Sequence, residues 1–228
     1  MAAETENHVN EKGFKSFLGD KFISPVDQTG LDSLDILNQL FTQVLNGELH
    51  TEAVKIKENS HVLDLGCGSG LWVMLMALDH LTPGTGVFEQ FEIDLRFQCS
   101  SGLIPDALNQ WADKLHQAME EHGMSMRCDP EEIRCMLLKS GFDNVEERAI
   151  VLPINDWPLE NDGKRIGKWF NLALTNSLLP MSLSPLVRAG NNKVKEINDL
   201  INKASEELRS QARTEGVYCM LYIWTAIA

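Results

Sequence analysis

Along this chain, stretches in which apolar residues recur at helical spacing alternate with short apolar runs typical of strands. Steps of three and four residues place an apolar stripe on each predicted helix, as Leu34, Leu37 and Phe41 do on the first. The predicted helices span 31–46, 106–122 and 193–213. Short runs rich in β-branched and aromatic residues predict strands over 88–97, 145–154 and 217–226. The last run is almost continuously apolar, so we expect a strand buried on both faces.

Glycine and proline set the boundaries of other elements. Asp129 followed by Pro130 has the form of an N-cap and a first helical residue, which predicts a helix that ends before Gly141. Phe142 is then expected to pack back on that helix. The stretch 157–190 is less regular. We expect it to form a cap segment over a pocket mouth, or its aromatic residues to belong to the core, since aromatic side chains mostly bury area.

The stretch 61–70, HVLDLGCGSG, carries the strongest chemical signal in the chain. An apolar strand ends in an acid, and three glycines in alternate positions then allow a tight turn and a close approach of the backbone to a ligand. The helix-forming run 71–80 follows and directs its N-terminal amides at that ligand. A dinucleotide loop needs glycine or alanine where Leu71 stands, and a P-loop needs Lys-Ser/Thr. The remaining GxGxG pattern predicts binding of S-adenosylmethionine (SAM), with a ligand-free glycine turn as the alternative.

Composition narrows the classes of function. The 228 residues, 43% of them hydrophobic, suffice for a core within one domain, which we place at 13–228 after a flexible tail at 1–12. A net charge of −13 without a basic stripe disfavours a nucleic-acid partner and fits a small-molecule substrate better. No apolar run approaches the ~18 residues of a membrane helix, and no signal segment is evident. We therefore expect no membrane partner and a cytoplasmic location, with the nucleus as an alternative.

The five cysteines form neither a CxxC pair nor an even set. This number and spacing of cysteines predict reduced thiols in an intracellular protein and no metal site. Cys67 lies inside the glycine loop, where a helix N-terminus can lower the pKa of a thiol, but a small loop-filling role is the simpler interpretation.

Six stretches spread over most of the chain carry a family resemblance. They are SPVDQTGLDSLDILNQLFTQVLNGEL, HVLDLGCGSGLWVM, LTPGTGVFEQFEIDLRFQC, DPEEIRCMLLKSGFDNVEE, WPLENDGKRIGKWFNLALT and YCMLYIWTA. Together they resemble the fungal LaeA-like, SAM-dependent methyltransferases of secondary-metabolite pathways. The resemblance implies an α/β, class I methyltransferase (Rossmann-like) fold with a three-layer arrangement, a mostly parallel sheet and an antiparallel last strand. It also implies SAM as cofactor, with Asp64, Gly66, Gly68 and Gly70 holding its methionine and ribose part.

One block of the family pattern is missing. In the family, the helix after the cofactor loop is followed by a strand ending in an acid for the ribose hydroxyls, and by further helix and strand units. Here only about twenty residues separate Gly70 from Phe91. Asp79 is the nearest acid, and it falls in the helical run, where a solvated role is common. We expect a reduced number of strands. An authentic shortening, a lost exon and a protein partner that covers the shortened face are three explanations.

Catalytic residues stay unassigned. In-line methyl transfer can rely on positioning, so no acid–base pair is required. His116 and His122 are candidate bases, but each lies on or at the end of a predicted amphipathic helix. We predict a SAM-dependent methyltransferase acting on a small molecule in fungal secondary-metabolite biosynthesis. The alternatives are a catalytically silent accessory or regulatory protein, and a methyltransferase-like fold that catalyses a reaction without methyl transfer.

Overall fold

The computed structural model describes residues 8–9, 15–16, 28–55, 81–100, 102–189 and 194–228. Two short strands, β1 (His8–Val9) and β2 (Lys15–Ser16), pair antiparallel, and the first of them lies within the stretch predicted as a flexible tail. The later elements are α1 (Gln28–Val44), β3 (Val87–Cys99), α2 (Asp106–Glu121), α3 (Pro130–Lys139), β4 (Asp143–Pro153), α4 (Asn161–Arg188), α5 (Val194–Leu208), α6 (Gln211–Thr214) and β5 (Val217–Ile227).

Three strands form the main sheet within these ranges, in the order β3-β5-β4. Both β3 and β4 pair antiparallel with β5, so β3 and β4 run in the same direction and β5 runs against them. The predicted antiparallel last strand is confirmed. The sheet is not mostly parallel among the described residues, because β5 separates the two strands that are parallel to each other.

The sheet is the middle of three layers. One face packs against α1, α2, α4 and α5 around a large apolar cluster that includes Phe97, Trp111 and Leu221. The other face packs against α3 around a smaller cluster that includes Phe88, Leu137 and Trp224. This three-layer α/β arrangement with few strands is a reduced class I methyltransferase fold, as predicted.

The burial of β5 differs from the expectation. On one face, residues 217, 219, 221 and 223 are buried, whereas Thr225 and Ile227 at its end are half-buried. On the less covered face, α3 packs over the end that carries Trp224 and Ala226, whereas Tyr218 and Met220 at the other end stay half-buried. The sequence predicts a strand that is buried on both faces, and this is wrong at the end that carries Tyr218 and Met220.

The helix signals around Asp129 are confirmed in atomic detail. The Asp129 carboxylate accepts the backbone N–H groups of Glu131 and Glu132 at 3.0 and 3.2 Å, and Pro130 is the first helical residue. Phe142 is buried and donates its backbone N–H to the Leu137 carbonyl. The N-cap and the return of Phe142 together fix α3 against the sheet.

The stretch from 157 to 190 is more regular than the sequence suggests. It forms the 28-residue helix α4, which contains Pro180 and Pro185. A proline inside a helix removes one hydrogen bond and costs about 3 kcal/mol in isolation. The Asn176 carbonyl, which the Pro180 ring leaves without its helical donor, accepts instead from Ser33 Oγ of α1 at 3.0 Å. Helix α1 thus compensates for the proline, while a cap role of this segment stays a prediction.

The predicted helix over 193–213 is two helices. Helix α5 ends at Leu208, and the four-residue α6 begins at Gln211. The Leu208 carbonyl at this break accepts side-chain amides from two other elements, which gives the end of α5 partners that a continuous helix would not need.

Candidate functional site

The predicted cofactor loop, with Asp64, Gly66, Gly68 and Gly70, lies outside the described residues, as do Cys67, Asp79 and the predicted helix 71–80. The described residues on either side of this stretch meet the sheet. The Thr51 N–H donates to the Glu89 carboxylate of β3 at 2.9 Å. After the stretch, Gly84 and Gly86 exchange backbone hydrogen bonds with Ala228, beside the first residues of β3. The chain therefore leaves and re-enters the described structure at the start of the same strand.

Open α/β sheets bind ligands outside the carboxyl ends of their parallel strands. At the end of β4, a network of side-chain amides fills this position. Asn155 Nδ2 donates to the Leu208 carbonyl at 3.2 Å and to Thr214 Oγ1 at 3.1 Å. Asn171 Nδ2 donates to the carbonyls of Ile154 and Leu208 at 2.8 and 3.0 Å. Because these amides are engaged with backbone, this end of β4 is closed.

A groove of about 560 Å³ lies between α2, α5 and α6. Its lining carries both acids and bases, among them Asp106, Glu196, Asp199, Lys203, Glu206 and Arg213. Glu207 also lines it, and its carboxylate accepts the Leu108 N–H of α2 at 2.9 Å, which caps a helix whose own N-cap is Pro105. An open, charged groove differs from the enclosed, mainly apolar pocket typical of small-molecule sites.

A buried ion pair lies in the second half of β3. The Asp94 side chain is 1% exposed, and its carboxylate accepts Arg96 Nε and Nη2 at 2.6–3.0 Å, together with the Arg96 backbone N–H at 3.1 Å. A bulge between Asp94 and Gln98 takes this part of β3 out of register with β5. Arg96 Nη2 also donates to the Cys128 carbonyl at 3.0 Å, which ties β3 to the α2–α3 connection.

Neither predicted candidate base lines the groove. His116 is 5% exposed, and both of its ring nitrogens lack a hydrogen-bond partner among the described residues. Burial lowers the pKa of His116, an effect that nearby Asp94 opposes and Arg127 strengthens. His122 Nδ1 donates to the Ala118 carbonyl at 2.6 Å at the end of α2. A role of either histidine as a base stays a prediction.

The buried His116 predicts a pH dependence of stability. Its folded pKa lies below the unfolded value, so the unfolded chain binds the proton more readily and His116 destabilises the fold as pH falls below about 6.5. We expect His116→Leu to flatten the free energy of unfolding between pH 6.5 and 5, measured by urea denaturation. Burial raises the pKa of Glu92, which titrates with the opposite sign. The comparison of variant and parent isolates the histidine, and parallel curves would contradict the prediction.

Cys128, Cys135 and Cys219 are not joined in disulfide bonds. Burial raises the pKa of Cys128 to about 12 and that of Cys219 well above its usual range, so both stay protonated. Among the described ranges, no three His, Cys, Asp or Glu side chains converge in a way that could hold a metal ion. None of the described helices is long and apolar enough to span a membrane.

Comparisons with known proteins place these features in context. No protein-family model matches the chain. The secondary metabolism regulator LAE1 of Pyricularia oryzae is 43% identical to it, over 99% of this chain and 91% of the relative. The protein-methionine methyltransferase laeA of Chaetomium globosum is 36% identical over 58% of this chain and 42% of the relative. Among solved structures, a phosphoethanolamine N-methyltransferase 2 of Haemonchus contortus has a TM-score of 0.32 at 9% identity, over 70% of this chain and 30% of that one.

The lengths of the alignments bear on the missing block. The alignment with the Pyricularia relative runs over 297 positions against 228 residues in this chain, so at least 69 positions of the relative have no counterpart here. Three further alignments that cover at least 93% of the chain run over 284 to 299 positions. About seventy positions of these relatives therefore have no counterpart in this chain. That they form one block between Gly70 and Phe91 stays a prediction.

Proposed function

This chain belongs to the LaeA/LAE1 family of secondary metabolism regulators, and we propose that it acts there as a SAM-dependent methyltransferase. The observation that carries the proposal is the order β3-β5-β4, in which an antiparallel last strand lies between two strands of like direction. An antiparallel last strand is what the resemblance implies for a class I methyltransferase sheet. The Chaetomium relative, which matches 58% of the chain, carries the methyltransferase name.

The cofactor site is proposed at the glycine loop. Gly66 and Gly68 would let the backbone approach the methionine part of SAM, and Asp64 and Gly70 would border it. SAM, when bound, supplies a methyl group activated on a sulfonium sulfur. The chain's task is then to hold an acceptor in line with that methyl group, and positioning of this kind can supply much of the barrier reduction.

For the acceptor, we propose a methionine side chain of a polypeptide in preference to the small molecule that the sequence predicts. The groove between α2, α5 and α6 is open and lined with charges of both signs, which suits a polypeptide segment better than a compact apolar ligand. A thioether sulfur carries no proton, so its methylation needs no general base. This agrees with the absence of His116 and His122 from the lining of the groove. The name of the Chaetomium relative points to the same chemistry.

The experiment is titration calorimetry of the purified chain with SAM and with its product S-adenosylhomocysteine. We expect saturable binding of both. Gly68→Leu should weaken it at least about 100-fold, which is about 2.7 kcal/mol, because a side chain would fill the backbone approach. Gly123→Leu is the control for destabilisation alone, since Gly123 has a positive φ, at which a side chain strains the turn after α2 without touching the glycine loop's sequence.

Two results would contradict the proposed cofactor site. Absence of binding by the folded parent chain would remove the methyltransferase proposal for the chain alone. Binding that survives Gly68→Leu would place SAM elsewhere. Once binding is established, transfer of a labelled methyl group to methionine-containing peptides and to small-molecule extracts distinguishes the two classes of acceptor.

A catalytically silent regulator is the second candidate, and the absent block of about seventy residues favours it. In the family, that block contributes the strand whose acid binds the ribose hydroxyls. A chain without it could retain protein contacts and lose the cofactor. The same calorimetric experiment separates this candidate from the first.

A further inference from the structure

The sheet face that packs against α3 is only partly covered. Helix α3 lies over Phe88, Trp224 and Ala226, at the end where β3 begins and β5 ends. Beyond that end, directly opposite residues of the three strands share this face. The open sheet face is the area formed by Glu92, Glu147, Ala149, Val151, Met220 and Tyr222.

Apolar and aromatic surface is exposed on the open sheet face. Val151 is 46% exposed, and Met220, its partner on β5, is half-buried. The half-buried Tyr222 ring stacks on the buried Trp224 ring, with 5.6 Å between the ring centroids and 22° between the planes. Ala149, opposite Tyr222 on β4, is exposed and has only a methyl group. The tyrosine ring is therefore held from one side and has open space on another.

Two carboxylates without a cation lie on either side of Tyr222. Glu92 is its direct partner on β3, and Glu147 lies on β4, diagonally across from it. Glu92 is half-buried, and it accepts a hydrogen bond from the neutral amide of Gln90 at 3.0 Å. Among the residues that the structure describes, no lysine, arginine or histidine forms an ion pair with either carboxylate. Burial, and then nearby groups that include Asp94 and Glu147, raise the pKa of the Tyr222 hydroxyl.

We propose that the open sheet face binds a basic segment of a partner polypeptide, with a Lys or Arg side chain on the Tyr222 ring between Glu92 and Glu147. A cation is attracted by the face of an aromatic ring and by both carboxylates. Tyr222 and Met220 are two residues apart in β5, which is about 7 Å. An extended segment can therefore place its cation on Tyr222 and an apolar side chain, two residues away, on Met220.

Charge favours this occupant over a second copy of the chain. The chain carries a net charge of −13, so two copies repel each other. A symmetric dimer through this face would also bring Glu92 and Glu147 of both copies together. The same charges attract a basic partner. The proposal does not rest on the proposed function, because the groove between α2, α5 and α6 belongs to the opposite side of the sheet.

An NMR titration of the isotope-labelled full chain tests the proposal. The probe is a blocked heptapeptide of alanine with arginine at its centre and leucine two residues to either side. The control peptide has glutamate in place of arginine. We expect the arginine peptide alone to shift the amide signals of 147–151 and 220–222 saturably. Equal shifts with both peptides, shifts only at the groove residues, or no shifts would each overturn the proposal.

Paired variants separate a local site from general attraction by the acidic chain. Glu92→Gln with Glu147→Gln should raise the Kd of the arginine peptide at least about tenfold. Glu121→Gln with Glu160→Gln removes the same charge from exposed positions outside the open sheet face and should change the Kd less than about twofold. Equal effects of the two double variants would overturn the proposal. A dimer detected by sedimentation that Glu92→Gln with Glu147→Gln strengthens would assign the face to a second copy and overturn it as well.

Two further changes test the aromatic contact and the open space. Tyr222→Phe keeps the ring and should bind like the parent, whereas Tyr222→Leu should weaken binding at least about threefold. Ala149→Arg supplies a cation from the chain itself, so it should compete with the peptide and be more resistant to urea than Ala149→Glu. Unchanged binding by both Tyr222→Leu and Ala149→Arg would overturn the proposed contact.

Discussion

Replacement of Gly167 by alanine is expected to destabilise the fold by at least about 3 kcal/mol, although the same change in an exposed helix would stabilise it by about 1 kcal/mol. A Cβ atom at Gly167 would lie 2.1 Å from the Asn155 carbonyl oxygen and 2.7 Å from its carbon. Both are backbone atoms of the loop after β4, so no side-chain rotation relieves the clash. Because α4 rests on this loop with no side chain between them, the helix or the loop must move.

Urea denaturation measures this effect. Leu172→Ala is the control, since Leu172 lies in the same helix with 43% of its surface exposed and should change the free energy of unfolding by less than 1 kcal/mol. A Gly167→Ala variant as stable as the parent would contradict the close contact between α4 and the loop after β4.

The second large effect concerns Arg96. Arg96→Ala leaves the Asp94 carboxylate buried without the guanidinium that binds it, and we expect a loss of about 2–4 kcal/mol at pH 7. The figure is below that of a fully buried pair because Arg96 is itself 54% exposed and water can reach the vacated position.

Two comparisons sharpen the experiment. Arg165→Ala breaks an exposed pair with Asp162 and should cost no more than about 0.5 kcal/mol. The double variant Asp94→Asn with Arg96→Ala should be less destabilised than the sum of the single variants, since the neutral amide needs no cation. Equal costs for Arg96 and Arg165 in chemical denaturation would contradict the buried pair.

The sequence predicts those parts of the fold in which the local pattern of apolar residues and capping residues favours a single structure. The helix at α2, the N-cap at Asp129 and the three main strands follow from spacing and capping alone. The long helix α4 does not, because Pro180 and Pro185 signal a break, and their cost is offset by a contact with Ser33 that lies 143 residues away in the chain. Local patterns contain no information about such a distant partner.

The candidate site also has one part that the sequence predicts and another that it does not. The glycine loop is visible in the sequence because a cofactor demands particular residues at fixed spacing. The groove and the Asp94–Arg96 pair were not predicted, although one signal for the pair was available. An acid and a base two residues apart in a strand share a face, and in FEIDLRF they fall between buried apolar residues of the other face. Sequence alone cannot tell that a bulge and the Cys128 carbonyl complete that arrangement.

The order of the sheet also constrains when it can form. The central strand β5 lies later in the chain than both strands that it joins. During synthesis, β3 and β4 are made with apolar faces and cannot pair with β5 until residues 217–227 have left the ribosome. The sheet therefore forms late, and the contacts between β3 and β5 span more than a hundred residues, which is a topology that folds slowly. A nascent chain halted before β5 should consequently be a good substrate for chaperones and proteases.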